Sequence, residues 1–160
     1  NISGAEQRHM GQVLMLLGRY GISDPVVDDT VGVFTNGTLS ALYDSLVEQG
    51  SASLVAALSV GAAIEDMDIA DLQELLETTD NADVSLVARN LERGSRNHLR
   101  AFMRQLEAQG GSYAPQHISQ QTFDAILEGG WERGRGQGRG DGRGSGNGWG
   151  RGNGRGRGGW

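Results

Sequence analysis

Apolar positions recur every three or four residues through most of the first 130 positions, and nowhere do they alternate singly for long enough to make a strand. The spacing predicts a helix over Ser3–Tyr20 ended by Gly21, a second capped by Thr35 and closed by Gly50, and a third running from its cap Ser51 to Thr78. A fourth runs from its cap Asn81 to Gln109 and is stopped by Gly110 and Gly111, and a short fifth starts at Ser119. Ile118 before that last cap and Phe123 at the fourth helical position form a hydrophobic staple. The expected fold class is all-α, and two long helices joined by about four residues must run antiparallel, as in a bundle.

Three of the stripes break the rule that a packing seam is apolar. The first reads Ile2, Glu6, His9, Val13, Leu16, Tyr20; the second Leu54, Leu58, Gly61, Glu65, Asp68, Leu72, Leu75; the third Val84, Ala88, Leu91, Ser95, His98, Phe102. Burying a bare carboxylate or an unpaired imidazole costs several kcal/mol, so such a placement calls for compensation. One bound cation compensates Glu6, His9, Glu65, Asp68 and His98 together. Glu6 and His9 are three apart, as are Glu65 and Asp68, so each pair projects from adjacent turns of one face.

Composition narrows the ion. With no cysteine, any metal must be held by oxygen and imidazole nitrogen. Two histidines with three carboxylates suit Fe or Mn and tolerate Zn; the set is poor in oxygen for Ca, and its histidines disfavour Mg. There is no lysine, so every fixed positive charge is a guanidinium. Residues 1–132 carry seven Arg against nineteen Asp and Glu, while residues 133–160 carry seven Arg against Asp141 alone, giving −12 and +6 within the overall −6. A helical domain over 1–130 and an Arg-Gly tail over 131–160 are therefore expected. No apolar run approaches the roughly twenty residues of a membrane span.

The stretches Glu6-Gln7-Arg8-His9, Gly61 to Leu72 and Arg93 to Phe102 resemble the ferritin-like superfamily, and are more closely similar to the microbial domain of unknown function 2202 family. The resemblance covers roughly residues 1–128. It implies a four-helix bundle with a carboxylate-bridged di-iron or di-manganese centre, possible redox chemistry on iron or peroxide, and metal ligands at Glu6, His9, Glu65, Asp68 and His98. The sequence departs from the pattern where Ser95 stands in place of the second motif's Glu. The first bundle helix is expected upstream of Asn1, and the groove left without it is expected to make the chain a homo-oligomer. Glu92, six residues before His98, cannot share its face. Asp66, Asp71 and Ser95 are candidates to support the histidines, and His117 is expected to be solvated.

The tail has no apolar periodicity to bury and much glycine entropy to lose, so disorder is expected. Arg-Gly runs can bind single-stranded nucleic acid, with Trp149 and Trp160 as stacking platforms. A solubilising extension, or an arm folding back on the acidic body, is the preferred reading, because six net charges give only modest, salt-dependent affinity. The alternative to a metal protein is thus a metal-free helical scaffold whose tail binds nucleic acid or protein.

Overall fold

The computed structural model describes residues 2–133, and among them it is all-helical. The elements are α1 (Ile2–Arg19), α2 (Gly37–Gly50), α3 (Leu54–Thr78), α4 (Ala82–Ala108) and α5 (Gln120–Glu128), with no strand among the described residues. The expected Arg-Gly tail, apart from its first three residues, lies outside them.

Local chemistry accounts for the helix ends. Asn81 caps α4 by accepting from Asp83 and Val84 N–H, and Ser119 caps α5 by accepting from Thr122 N–H. At two ends a glycine at positive φ closes the helix: Gly21 (φ 64°) after α1 and Gly110 (φ 72°) after α4. At each, the next residue bonds back, Ile22 N–H to Leu17 O and Gly111 N–H to Leu106 O, satisfying carbonyls the helix leaves free. Two expected caps move. Asn36, not Thr35, caps α2, because its Oδ1 accepts from Thr38 and Leu39 N–H. Ser51 is spent on ending α2, donating its N–H to Val47 O and its hydroxyl to Glu48 O, so Ser53 caps α3 instead.

The long pair α3 and α4 forms the main contact and runs antiparallel, Glu65 facing His98 and Gln73 bonding Glu92. Gly61 lets α3 approach closely: a Cβ there would overlap the ring of Phe102. Ala62, Ile69, Leu99, Met103 and Leu106 fill the seam, and Ile118, Phe123 and Ile126 close its end from α5 and the turn before it. Each fully buried Ile or Leu contributes about 1.5–3 kcal/mol. The loop leading into α5 is held by one buried carboxylate. Asp66 accepts from Tyr113 OH at 2.7 Å and from the N–H groups of Gln116, His117 and Ile118 at 2.6, 3.1 and 2.9 Å.

α1 lies antiparallel on α4. Arg19 pairs with Asp83 at 2.6 Å at one end, Gln12 approaches Asn90 in the middle, and Glu6 reaches His98 at the other end. α1 buries no residue fully and leaves Met10, Val13, Leu14 and Met15 exposed. No described helix is long and apolar enough to cross a membrane.

Candidate metal centre

Three helices aim polar side chains at one interior point. Glu6 comes from the first third of α1, Glu65 from the middle of α3 and His98 from the second half of α4. A ligand atom from each lies within 4.8 Å of the other two. His98 Nδ1 is 2.9 Å from Glu6 Oε1 and 3.2 Å from Glu65 Oε1. Those contacts are short but wrongly directed for hydrogen bonds: Glu6 Oε1, Glu65 Oε2 and His98 Nδ1 are buried with no hydrogen-bond partner. Native interiors rarely leave such atoms unsatisfied, and three together need a common explanation.

His9 stands beside this trio. Its Nδ1 lies 3.2 Å from Glu6 Oε2, so the two oxygens of Glu6 face two different imidazoles, whose ring centroids are 6.0 Å apart. Gly94 makes the seat: a Cβ there would overlap the His9 ring and come within 2.7 Å of its Nε2. A glycine in the interior of α4 costs about 1 kcal/mol of helix propensity relative to alanine, so space for His9 is its evident use. Gly94 is not a member of the α4 stripe. A helix-interior glycine one residue from Ser95, in the stretch carrying His98, was the signal available.

Asp68 is placed differently. It shares the seam of Glu65 but its residue surface is open to water, and it lines a small cavity of about 210 Å³ with Glu6, His9, Asp71 and Ser95. Within that cavity partial burial, then the charges of Glu65, Glu6 and Asp71, push its carboxyl up to about 6. His98 is shifted upward as well, first by its direct contact with Glu65 and then by the charges of Glu65 and Glu6, against the opposing effect of burial.

Of the five residues expected to be ligands, Glu6, Glu65 and His98 therefore converge, His9 adjoins them through Glu6, and Asp68 faces the same site from its open side. Of the supporting candidates, Ser95 is buried beside the cavity and Asp71 lines it. Asp66 turns away to the α5 loop. Glu92 also points elsewhere, to Gln73 and Arg96, and His117 is exposed with its backbone N–H on Asp66.

The donor set fits a divalent transition metal: two carboxylate oxygens and one imidazole nitrogen, drawn from three helices, are buried without a hydrogen-bond partner among the described residues.

The profile of the uncharacterized protein domain DUF2202 matches residues 1–130. The chain is 50% identical over 134 residues to the uncharacterized protein MJ0754 of Methanocaldococcus jannaschii, spanning 84% of this chain and 72% of that protein. The crystal structure of hypothetical protein MJ0754 from Methanococcus jannaschii matches with a TM-score of 0.81 and 49% identity, over 82% of this chain and 75% of that one.

Proposed function

The chain belongs to the DUF2202 family, and for it we propose a metal-binding function of ferritin-like type, with α1, α3 and α4 as helices of the bundle and iron or manganese as the ion. Glu6, Glu65 and Asp68 would hold it through carboxylate oxygens, and His9 and His98 through imidazole nitrogens. One observation carries this reading: Glu6, Glu65 and His98, from three helices, each bring a ligand atom within 4.8 Å of the other two, and each has a buried side-chain atom with no hydrogen-bond partner among the described residues. A bound cation would satisfy all three atoms at once.

Iron or manganese held by such ligands supplies one-electron redox chemistry toward dioxygen or peroxide. The residues of the chain provide the surroundings. Gly94 sets the position of His9, Ser95 keeps the wall small and polar, and the cavity edged by Asp68 and Asp71 leaves space for a small reactant.

Metal analysis of the full chain, produced with iron or manganese supplied, tests the proposal. Wild type and His117→Ala should retain bound metal, and Glu65→Gln and His98→Ala should lose it. Wild type without stoichiometric metal, or occupancy unaffected by both substitutions, overturns it.

A further inference from the structure

A second cavity, of about 730 Å³, lies between α1 and α4 and shares only His9 with the small one. Its walls include Arg8, His9 and Gln12 of α1 and Asn90, Arg93 and His98 of α4. The segment Trp131–Arg133 closes one edge. The volume is that of a small-molecule site.

The charge of this lining is opposite to that of the body around it. Arg8, Arg93 and Arg133 face the cavity, and its one carboxylate, Glu132, is already held from outside. Glu132 takes two bonds from Arg96 (2.9 and 2.6 Å) and one from Arg100 (2.8 Å), and neither of those arginines lines the cavity. Among the described residues no carboxylate lies within ion-pair distance of Arg8 or Arg93, although residues 1–132 carry nineteen Asp and Glu. Arg93 is instead positioned by a neutral amide, donating to Asn90 Oδ1 at 2.9 Å, and Asn90 in turn donates to Gln12 Oε1 at 3.5 Å. An amide relay of this kind fixes a guanidinium without neutralising it. Arginine's planar donor fork matches the oxygens of a carboxylate or phosphate, so the cavity is built for an oxyanion.

We propose that the cavity between α1 and α4 binds a small oxyanionic molecule, a carboxylate or a phosphate, through Arg8 and Arg93. The anion sits against the imidazole edges of His9 and His98. Its role as the reactant or regulator of the metal centre rests on the metal-binding reading; its binding does not.

The test is calorimetric titration of the full chain, stripped of metal on a chelating resin and held at low ionic strength, with inorganic phosphate and with succinate. Saturable binding at one site per chain is expected with at least one of them. Phosphate alone assigns a phosphorylated compound, succinate alone an organic acid, and both a general oxyanion site. Arg8→Gln and Arg93→Gln should each weaken binding on the order of tenfold, while Arg104→Gln, an exposed arginine outside the cavity, should not change it. Arg8 is exposed on α1, so its variant remains informative should Arg93→Gln fail to fold. Absence of saturable binding by either probe, or equal weakening by Arg104→Gln, overturns the proposal. Phosphate or succinate binding by a chain that takes up no metal overturns the metal reading alone, and metal uptake without anion binding overturns this one alone.

Discussion

Glu65 and Asp66 are consecutive buried carboxylates with opposite surroundings: Asp66 accepts four hydrogen bonds, whereas Glu65 leaves Oε2 with none. Successive residues of an α-helix point about 100° apart, so α3 turns one toward the loop before α5 and the other toward the seam with α1 and α4. The first is a structural anion with its partners built in. The second has one oxygen, Oε2, without a hydrogen-bond partner among the described residues, which is the property expected of a ligand.

Asp66→Asn should destabilise the protein by about 2–4 kcal/mol in urea unfolding at neutral pH. The substitution replaces two accepting oxygens with one and places an NH₂ group among backbone donors. Burial acts to raise the Asp66 pKa, but the bonds from Gln116, Ile118, Tyr113 and His117 together bring it below the ordinary value. Its stabilisation is therefore present above the unfolded-state pKa of about 3.9 and is lost as pH falls through the lower folded value. A cost under about 0.5 kcal/mol would show that the α5 loop does not depend on this carboxylate.

Glu65→Gln should act in the other direction on the metal-free protein. Removing a charge with an unsatisfied oxygen should leave the melting temperature unchanged or raise it by a few degrees, while metal binding is lost. Scanning calorimetry with and without metal separates the two effects. A fall in the metal-free melting temperature of more than about 5 °C would make Glu65 a structural residue.

Two glycines offer a contrast between packing and site geometry. Gly61→Ala forces the Phe102 ring out of the α3–α4 seam and should cost about 1–3 kcal/mol. Gly94→Ala displaces only the His9 ring and gains about 1 kcal/mol of helix propensity, so stability should stay close to wild type. Its metal content should nonetheless fall. Equal loss of stability in the two variants would show that Gly94 serves packing rather than the seat of His9.

Glu132→Gln should release the segment beyond α5. Bonds from Arg96, opposed by burial and helped by Arg100, hold the Glu132 carboxyl down to about 2. Asn97 clamps the backbone of the same residue, donating to Glu132 O at 2.9 Å and accepting from its N–H at 3.0 Å. Because the folded pKa lies below the unfolded one, the contribution is complete above about pH 4.5 and disappears as pH falls toward 2. Allowing for partial solvent screening, the variant should cost about 1–2 kcal/mol at pH 7 and progressively less on acidification. A cost independent of pH would assign the effect to packing instead of charge.

Helix content, and the stripes that carry Glu6, His9, Glu65, Asp68 and His98, were legible in the sequence because both follow from interactions within four residues along the chain. Caps were legible only in part. Thr35 and Asn36, or Ser51 and Ser53, are equivalent by residue type, and which of each pair turns into the helix depends on how α2 ends. Distant partners left no local signal: nothing periodic links Arg96 and Arg100 to Glu132, or Asp66 to the loop at 116–118.

What the sequence determined by itself was that acidic and imidazole groups occupy helix faces whose other members are apolar. Tertiary structure alone decided which of them meet. The register of α1 on α4, permitted by the missing side chain at Gly94, and that of α3 on α4, permitted by Gly61, bring Glu6, Glu65 and His98 together and put His9 on the second oxygen of Glu6. Asp68 stays at the open edge: it sits about 60° round α3 from Glu65, and at that position the helix faces water.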